Sequence, residues 1–511
     1  MTQAIARRDA PGHVLAVDVA AAGNMVGGLL KYLGLAALFP AVLAVGYGEP
    51  FWPFLAAGAI TSGGGYLLER VTASSAGRVG VREAFLVVSV TWLLAAAFAA
   101  LPYLFAGGDA LGHPIDAYFE GMSGFTTTGA TVVTDPGVLS SSMAMWRQFT
   151  QWIGGIGIVV LAIAVLPRLR VGGRQLLESE LPGPEIAQLS ERIRETARLL
   201  WVLYLGLTAI LVLLLATLGW LGVDDRMNLY EAVAHAFETM PTGGFSTQPD
   251  SVSSFAPASQ WILAAFMLIG AANYLLLYRA FVRRQPARVA RDEELRLYLA
   301  LVLVAAVALV IQLWSYGIAQ GEEALRHGFF QAASIVTTTG MVNADYAAWP
   351  SVALLTIFAL MFVGGSAGST AGSIKVIRHL MIGKILRREL SQTVSPEVVM
   401  PIRVNGTSVD ERTLRAIAAF VLLFVGAWAA GAGIIAIDSA IVDAGLGPLD
   451  SIGASAAAIG NVGPGFGITG PYGSYAPIGD VSKLTMTALM FLGRLEIVPV
   501  IVLLTRHYWR L

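Results

Sequence analysis

The densest chemistry in this chain lies in four short turns rich in threonine and glycine. They are Phe125-Thr126-Thr127-Thr128-Gly129-Ala130, Pro241-Thr242-Gly243-Gly244-Phe245, Ile335-Val336-Thr337-Thr338-Thr339-Gly340-Met341 and Asn461-Val462-Gly463-Pro464-Gly465-Phe466. An ion leaving water needs oxygen dipoles in place of its hydration shell. Backbone carbonyls supply them where the chain is extended; glycine permits the backbone angles and threonine adds hydroxyl oxygens. The candidate filter residues are Thr127, Thr128 and Gly129, then Thr242 and Gly243, then Thr338, Thr339 and Gly340, then Asn461, Val462 and Gly463. One such glycine is equally at home ending a buried helix. Four in register on one side of a membrane point to a pore with fourfold pseudosymmetry.

A second constellation is Gly364-Gly365-Ser366-Ala367-Gly368-Ser369-Thr370-Ala371-Gly372-Ser373, followed by Lys375. It sits inside a long apolar run starting near Val352. Each glycine costs about 1 kcal/mol in a helix interior, so the stretch is expected to break the helix into a loop able to block or open a path. Close packing between helices through small residues is the plainer alternative. Lys375 is either a lysine snorkelling to the cytoplasmic surface or a group that positions the loop. Arg494 stands in mid-span between Leu484 and Leu504, where a charge is costly. It must face a wet cavity or a partner, and on a cation path it would form an electrostatic barrier. A salt bridge to a neighbouring span is the rival reading. Gly154-Gly155-Ile156-Gly157 and Gly270-Ala271-Ala272-Asn273 occupy comparable places in the first two units and are read as packing sites.

His13, His113, His235, His327, His379 and His507 are scattered, without metal-site spacing, and the chain has no cysteine. That excludes disulfides and thiol chemistry. No nucleotide-binding, dinucleotide or serine-hydrolase motif is present, so the chain is not expected to be an enzyme.

The elements that position these residues follow from composition. Of 511 residues, 56% are hydrophobic and 13% charged, about half the charge of a soluble protein. Several runs reach the ~20 apolar residues that cross a bilayer. The reading is an all-α polytopic membrane protein of about ten spans, without a cleavable signal peptide despite Arg7 and Arg8. Residues 1–80 form a two-span N-terminal region. Four units of span, short re-entrant helix, filter turn and span follow, over 81–182, 183–292, 293–400 and 401–511. The short helices are expected at Asp116–Met122, capped by Asp116, and at Asn228–Thr239, Glu322–Ser334 and Asp450–Ile459. The turn glycines recur roughly every 100 to 120 residues, as duplicated units would.

Charge supports this order of spans. Arg70, Arg78, Arg82, Arg168, Arg170, Arg174, Arg279, Arg283, Arg284, Lys384, Arg387, Arg388, Arg403, Arg506 and Arg510 fall on one side. Glu49, Asp109, Asp135, Asp224, Asp225, Asp250, Glu322, Glu323, Asp345, Asp438 and Asp443 fall on the other. Positive residues mark the cytoplasmic side, which places both termini there and the four turns towards the outer face. Acidic residues outside suit a cation.

The turns, Trp152-Ile153-Gly154-Gly155-Ile156-Gly157, the run Gly364 to Lys375 and Gly493-Arg494-Leu495-Glu496 together resemble the Trk/Ktr superfamily of potassium transporters, over about residues 80 to 511. The extra N-terminal spans are similar to its TrkH branch. The resemblance implies a potassium-translocating subunit, with K+ as the transported ion, in the inner membrane and usually a homodimer. It implies a cytosolic, nucleotide-binding regulatory partner of TrkA type. It makes Gly129, Gly243, Gly340 and Gly463 the filter glycines, residues 364–373 an intramembrane gating loop (Gly364, Gly365, Ser366, Gly368, Ser369, Thr370 and Gly372, with Lys375) and Arg494 the pore arginine. Two departures, Met240-Pro241 before the second turn and Val462 in the fourth, remove hydroxyls but no carbonyls. One glycine per turn implies poorer discrimination among potassium, rubidium and sodium than a two-glycine filter. The alternative is a secondary cation symporter with alternating access. Nucleic acid is not an expected partner.

Overall fold

The computed structural model describes residues 17–73, 80–164 and 186–510. Arg7, Arg8, His13, Arg78, Arg168, Arg170 and Arg174 lie outside the described residues, as does most of the charged segment between the first two units. Almost everything described is helical; the exception is a two-stranded antiparallel hairpin, β1 (Arg403–Val404) with β2 (Thr407–Ser408).

Helices α1 (Val19–Leu33), α2 (Leu38–Tyr47) and α3 (Trp52–Val71) form the N-terminal region. They are followed by α4 (Val81–Ala106), α5 (Pro114–Phe125), α6 (Ser141–Ala164), α7 (Ile186–Trp220), α8 (Leu229–Thr239), α9 (Pro257–Gly270) and α10 (Tyr274–Phe281). The second half holds α11 (Glu293–Ser315), α12 (Gly321–Val336), α13 (Ser351–Leu360), α14 (Val376–Val394), α15 (Glu411–Val442), α16 (Pro448–Ile459), α17 (Asp480–Arg494) and α18 (Val498–Leu503).

By length and composition, five helical stretches among the described residues can cross a membrane: Val19–Tyr47, Arg82–Ala106, Glu195–Trp220, Glu293–Ser315 and Glu411–Val442. The α9–α10 pair makes a sixth if its bend of 107° is counted as one broken span. The N-terminal pair packs closely: a Cβ on Gly27 of α1 would stand 2.7 Å from the Gly65 carbonyl of α3.

The expected short helices are α5, α8, α12 and α16. Asp116 does not cap α5. His113 holds that position, Pro114 opens the helix, and Asp116 in the first turn pairs with Lys483 of α17 at 2.6 Å. Pro114 removes a donor that the first turn leaves unpaired in any case, and a carboxylate there complements the helix dipole. Asn228 does cap α8, its side chain accepting from Glu231 N at 3.0 Å.

The helices that follow the second, third and fourth glycine turns are all interrupted. In the second the break is at Ala271–Asn273, so this stretch is not a packing site in a continuous helix. Asn273 restarts the chain as the cap of α10. In the third, residues 361–375 are non-helical, as the glycines require. In the fourth, Glu496 and Ile497 take positive φ (62° and 58°) and separate α17 from α18. In the first unit α6 runs unbroken through Gly154, whose missing side chain admits the Phe125 carbonyl.

Candidate functional site

Each short helix ends in the same way. In the first turn Thr127 N donates to Gly124 O (2.9 Å) and Thr128 N to Ser123 O (2.9 Å). The pattern recurs as Thr242 N to Thr239 O (3.0 Å) with Gly243 N to Glu238 O (2.8 Å), and as Thr338 N to Ile335 O (3.0 Å) with Thr339 N to Ser334 O (2.8 Å). In the fourth turn Asn461 N donates to Ala458 O (3.2 Å) and Val462 N to Ala457 O (2.9 Å). This is the Schellman ending, whose first residue is left-handed and usually glycine. Here it is Thr127 (φ 51°), Thr242 (58°), Thr338 (57°) and Asn461 (52°). A β-branched residue in that region is strained.

Two residues later each chain needs a glycine: Gly129 (φ 81°), Gly244 (80°), Gly340 (75°) and Gly463 (99°). In the second turn this is Gly244. Gly243 takes the middle place, which Thr128, Thr339 and Val462 hold elsewhere. The Thr-Gly dipeptide misleads by one residue, and the Gly-Gly pair is the signal that corrects it.

The four turns meet one another in a closed ring. A Cβ on Gly129 would lie 2.3 Å from Gly243 O, on Gly244 1.9 Å from Thr339 O, on Gly340 1.8 Å from Val462 O, and on Gly463 2.6 Å from Thr128 O. Each turn's glycine thus backs onto the middle carbonyl of the next, and the fourth closes on the first. Thr126, Thr127, Thr128, Thr242, Thr337, Thr338, Thr339 and Asn461 are fully buried. The Thr126 and Thr128 hydroxyls pair at 2.7 Å, as do those of Thr337 and Thr339. Gln151 Nε2 donates to Gly243 O (2.7 Å) and Tyr475 Oη to Gly463 O (2.8 Å), each leaving that carbonyl a second lone pair.

The 361–375 loop lies directly against this ring. Gly364 N donates to Ile374 O (2.9 Å) and Val376 N to Gly365 O (3.1 Å), which cinches its base. Ser369 Oγ donates to Ser366 O (2.6 Å), and Gly368 has φ 70°. Gly372 N donates to the Thr338 hydroxyl at 2.7 Å. Thr370 Oγ1 is 3.3 Å from the Thr242 hydroxyl and 2.9 Å from Gly270 O. Across the break in the second unit, Ser366 N donates to Ala271 O (2.9 Å) and Tyr274 N to Gly368 O (3.3 Å).

Arg494 is the last residue of α17, just before the break ahead of α18, and it is 2% exposed. Its Nη1 donates to Thr370 O at 2.5 Å, while Nε and Nη2 have no hydrogen-bond partner among the described residues. Its partner is therefore the loop backbone, and no carboxylate among the described residues pairs with it. Lys375 is buried and donates to Ala371 O, so it positions the loop and does not snorkel.

Several supporting residues escape sequence reasoning. Glu294, buried in the first turn of α11, accepts from Ala367 N at 2.6 Å. It looks like an ordinary acid at a helix start. Arg378 pairs with Glu496 beneath the loop. Behind the first turn, Arg147 and Glu120 form a buried pair at 2.8 Å, and Glu120 also accepts from Thr131 Oγ1 and Val132 N. An arginine inside an apolar run was the signal for the last of these.

Helices long and apolar enough to cross a membrane, with a closed ring of glycine turns backed by a polar loop, are the architecture of a membrane transport protein. The chain belongs to the TrkH family of cation transport proteins, whose signature matches residues 54–509. It is 34% identical over 498 residues to the Trk system potassium uptake protein TrkH of Halomonas elongata, covering 95% of this chain and 98% of that one. It is also 34% identical over 498 residues to the Trk system potassium uptake protein TrkG of Escherichia coli, with the same coverage. The crystal structure of the potassium transporter TrkH from Vibrio parahaemolyticus superposes with a TM-score of 0.85 at 31% identity. That match covers 97% of this chain and 100% of the other.

Proposed function

We propose that this chain takes up potassium across the inner membrane through a channel-like pore. The closed ring of four turns carries the reading: four carbonyl-bearing segments abut in sequence, and a side chain at any of the four ring glycines would meet the next turn's backbone. Dehydrated potassium passes the ring, then the 364–373 loop, which Arg494, Lys375, Thr338 and Thr370 hold against it. The membrane potential drives the ion inward by about 2.3 kcal/mol per charge for each 100 mV. The names of these two relatives, both Trk system potassium uptake proteins, support the choice of ion. The same reading makes the protein a homodimer with four pseudo-repeated pore units and cytoplasmic termini, regulated by a TrkA-type nucleotide-binding subunit. A symporter with alternating access would also use broken helices, but it has no need for four turns closed into one ring.

Rubidium uptake into potassium-loaded proteoliposomes tests this. Uptake by the unmodified protein, its loss in Gly340→Asp and its acceleration in Arg494→Ala are expected. A folded Gly340→Asp protein that transports normally would make the turns structural only.

A further inference from the structure

Helix α10 leaves the axis of α9 at 107° and delivers the chain to a segment, residues 281–291, that is exposed except at Gln285 and the buried Val289. Phe281 and Val282 are 60% and 59% exposed. Arg283, Arg284, Arg288 and Arg291 follow, all exposed. None of these four pairs with a carboxylate among the described residues; Arg283 reaches only Tyr278, its hydroxyl (3.3 Å) and its ring face, and Arg288 only Gln285 (3.2 Å). The nearest acids in sequence are committed elsewhere, Asp292 to Asn405 of the β-hairpin and Glu293 to Lys384 and Asn405.

The segment's depth follows from α11, which begins at Glu293. Its 23 residues measure ~35 Å, enough to cross the ~30 Å hydrocarbon core. The residues just before it therefore lie at a membrane surface, on the arginine-rich side. Two exposed apolar side chains beside four uncompensated arginines at that level match an acidic bilayer surface: acyl chains for Phe281 and Val282, phosphates for the guanidiniums.

We propose that residues 281–291 dock on the anionic phospholipids of the surrounding leaflet and that this contact bears on the gating loop through α10. The mechanical link is short. The Ala271–Asn273 break and the first residue of α10 hold the loop through Ser366 N to Ala271 O and Tyr274 N to Gly368 O. A lipid that fixes one end of this eight-residue helix fixes the position of the other. The second half of the proposal rests on the loop being the gate.

Phosphatidylglycerol is the probe. Purified protein in phosphatidylcholine nanodiscs is titrated with it, and retained lipid is counted by mass spectrometry. Rubidium uptake is measured in phosphatidylcholine vesicles with and without it. The test variant changes Arg283, Arg284, Arg288 and Arg291 to Gln. A control changes the exposed cytoplasmic Arg387, Arg403, Arg412 and Arg415 to Gln, removing the same charge. Matching unfolding temperatures establish that both variants fold.

Each arginine at the surface contributes about 1 kcal/mol, so the test variant should lose affinity for phosphatidylglycerol by up to about a thousandfold, and the control much less. Wild-type uptake should change with phosphatidylglycerol, and uptake by the test variant should not. Equal loss in both variants would mean general attraction to the cytoplasmic face and would overturn the assignment. So would unchanged lipid retention in the test variant, including the case where it instead loses a protein partner. Lipid binding without any response of wild-type uptake would remove the link to the loop. If the wild type moves no rubidium in any vesicle, the transport reading fails while the lipid count still decides the docking.

Discussion

The register of the second turn makes a sharp prediction, because it sets two adjacent glycines apart. At Gly244 the backbone has φ 80° and an added Cβ would stand 1.9 Å from Thr339 O. A carbon–oxygen contact settles at about 3.3 Å, so Gly244→Ala must open that joint of the ring by over an ångström. The left-handed conformation costs alanine about 1–2 kcal/mol, and forcing a methyl group into packed backbone costs a further ~1–3 kcal/mol. A strain of about 2–5 kcal/mol then falls on the carbonyls of Thr339 and Gly243, and rubidium uptake should drop at least tenfold, with weakened discrimination against sodium. At Gly243 the φ is negative or extended, and the atoms a Cβ would meet belong to the Gln151 side chain, 2.5 Å away. Gln151 can turn aside at the cost of its bonds to Gly243 O and Phe245 N, about 0.5–1.5 kcal/mol each. Since Thr128, Thr339 and Val462 carry side chains at this place, Gly243→Ala should keep uptake within a few-fold of the original. The assay is rubidium uptake with sodium competition in proteoliposomes, with unfolding temperature as the control. A silent Gly244→Ala beside an inactive Gly243→Ala would refute the register and the ring drawn from it.

Three further outcomes follow. Glu120→Gln leaves the Arg147 guanidinium buried without its charge partner, which should lower stability by about 3–5 kcal/mol. Adding Arg147→Met should recover much of that, read as unfolding temperature in detergent. Thr370→Val removes the hydroxyl bonded to Gly270 O and facing Thr242, worth about 1 kcal/mol, and resting rubidium uptake should rise several-fold. Glu294→Ala takes away the acceptor for Ala367 N and should also raise resting uptake, whereas Glu294→Gln, which keeps a carbonyl oxygen in reach, should restore most of the closed behaviour.

The course of the chain was legible in the sequence because span length and turn chemistry are local properties. Four short helices ending in glycine turns and a glycine-rich break after Leu360 need no knowledge of neighbours. What the sequence could not reveal depends on partners distant along the chain. Ala271–Asn273 contains a single helix-restarting asparagine and no glycine run, yet the chain turns by 107° there. The carbonyl of Ala271 is taken by Ser366 N, and Gly368 O accepts from Tyr274 N, so backbone groups freed by the break are satisfied from the third unit. The same holds at Glu496, whose left-handed backbone ends α17 while its carboxylate meets Arg378. Lys375 was open to two readings until its own loop was placed, and Glu294 drew no notice until Ala367 N was found on its carboxylate.

The threonines before the glycines invite reinterpretation. By composition they are extra oxygens for an ion. By geometry, the threonine that takes the left-handed position in each of the first three turns is strained, and glycine would relieve it. A strained side chain is retained where something else depends on it. The Thr338 hydroxyl accepts from Gly372 N, the Thr242 hydroxyl faces Thr370, and Asn461 Nδ2 donates to the Thr128 hydroxyl at 2.9 Å. In the second and third turns this side chain thus ties the ring to the loop, and in the fourth it ties one turn to another. The turns and the loop are therefore one polar structure. Any displacement of the loop must break hydrogen bonds made by the same residues that end the short helices, which couples the shape of the ring to the position of the loop.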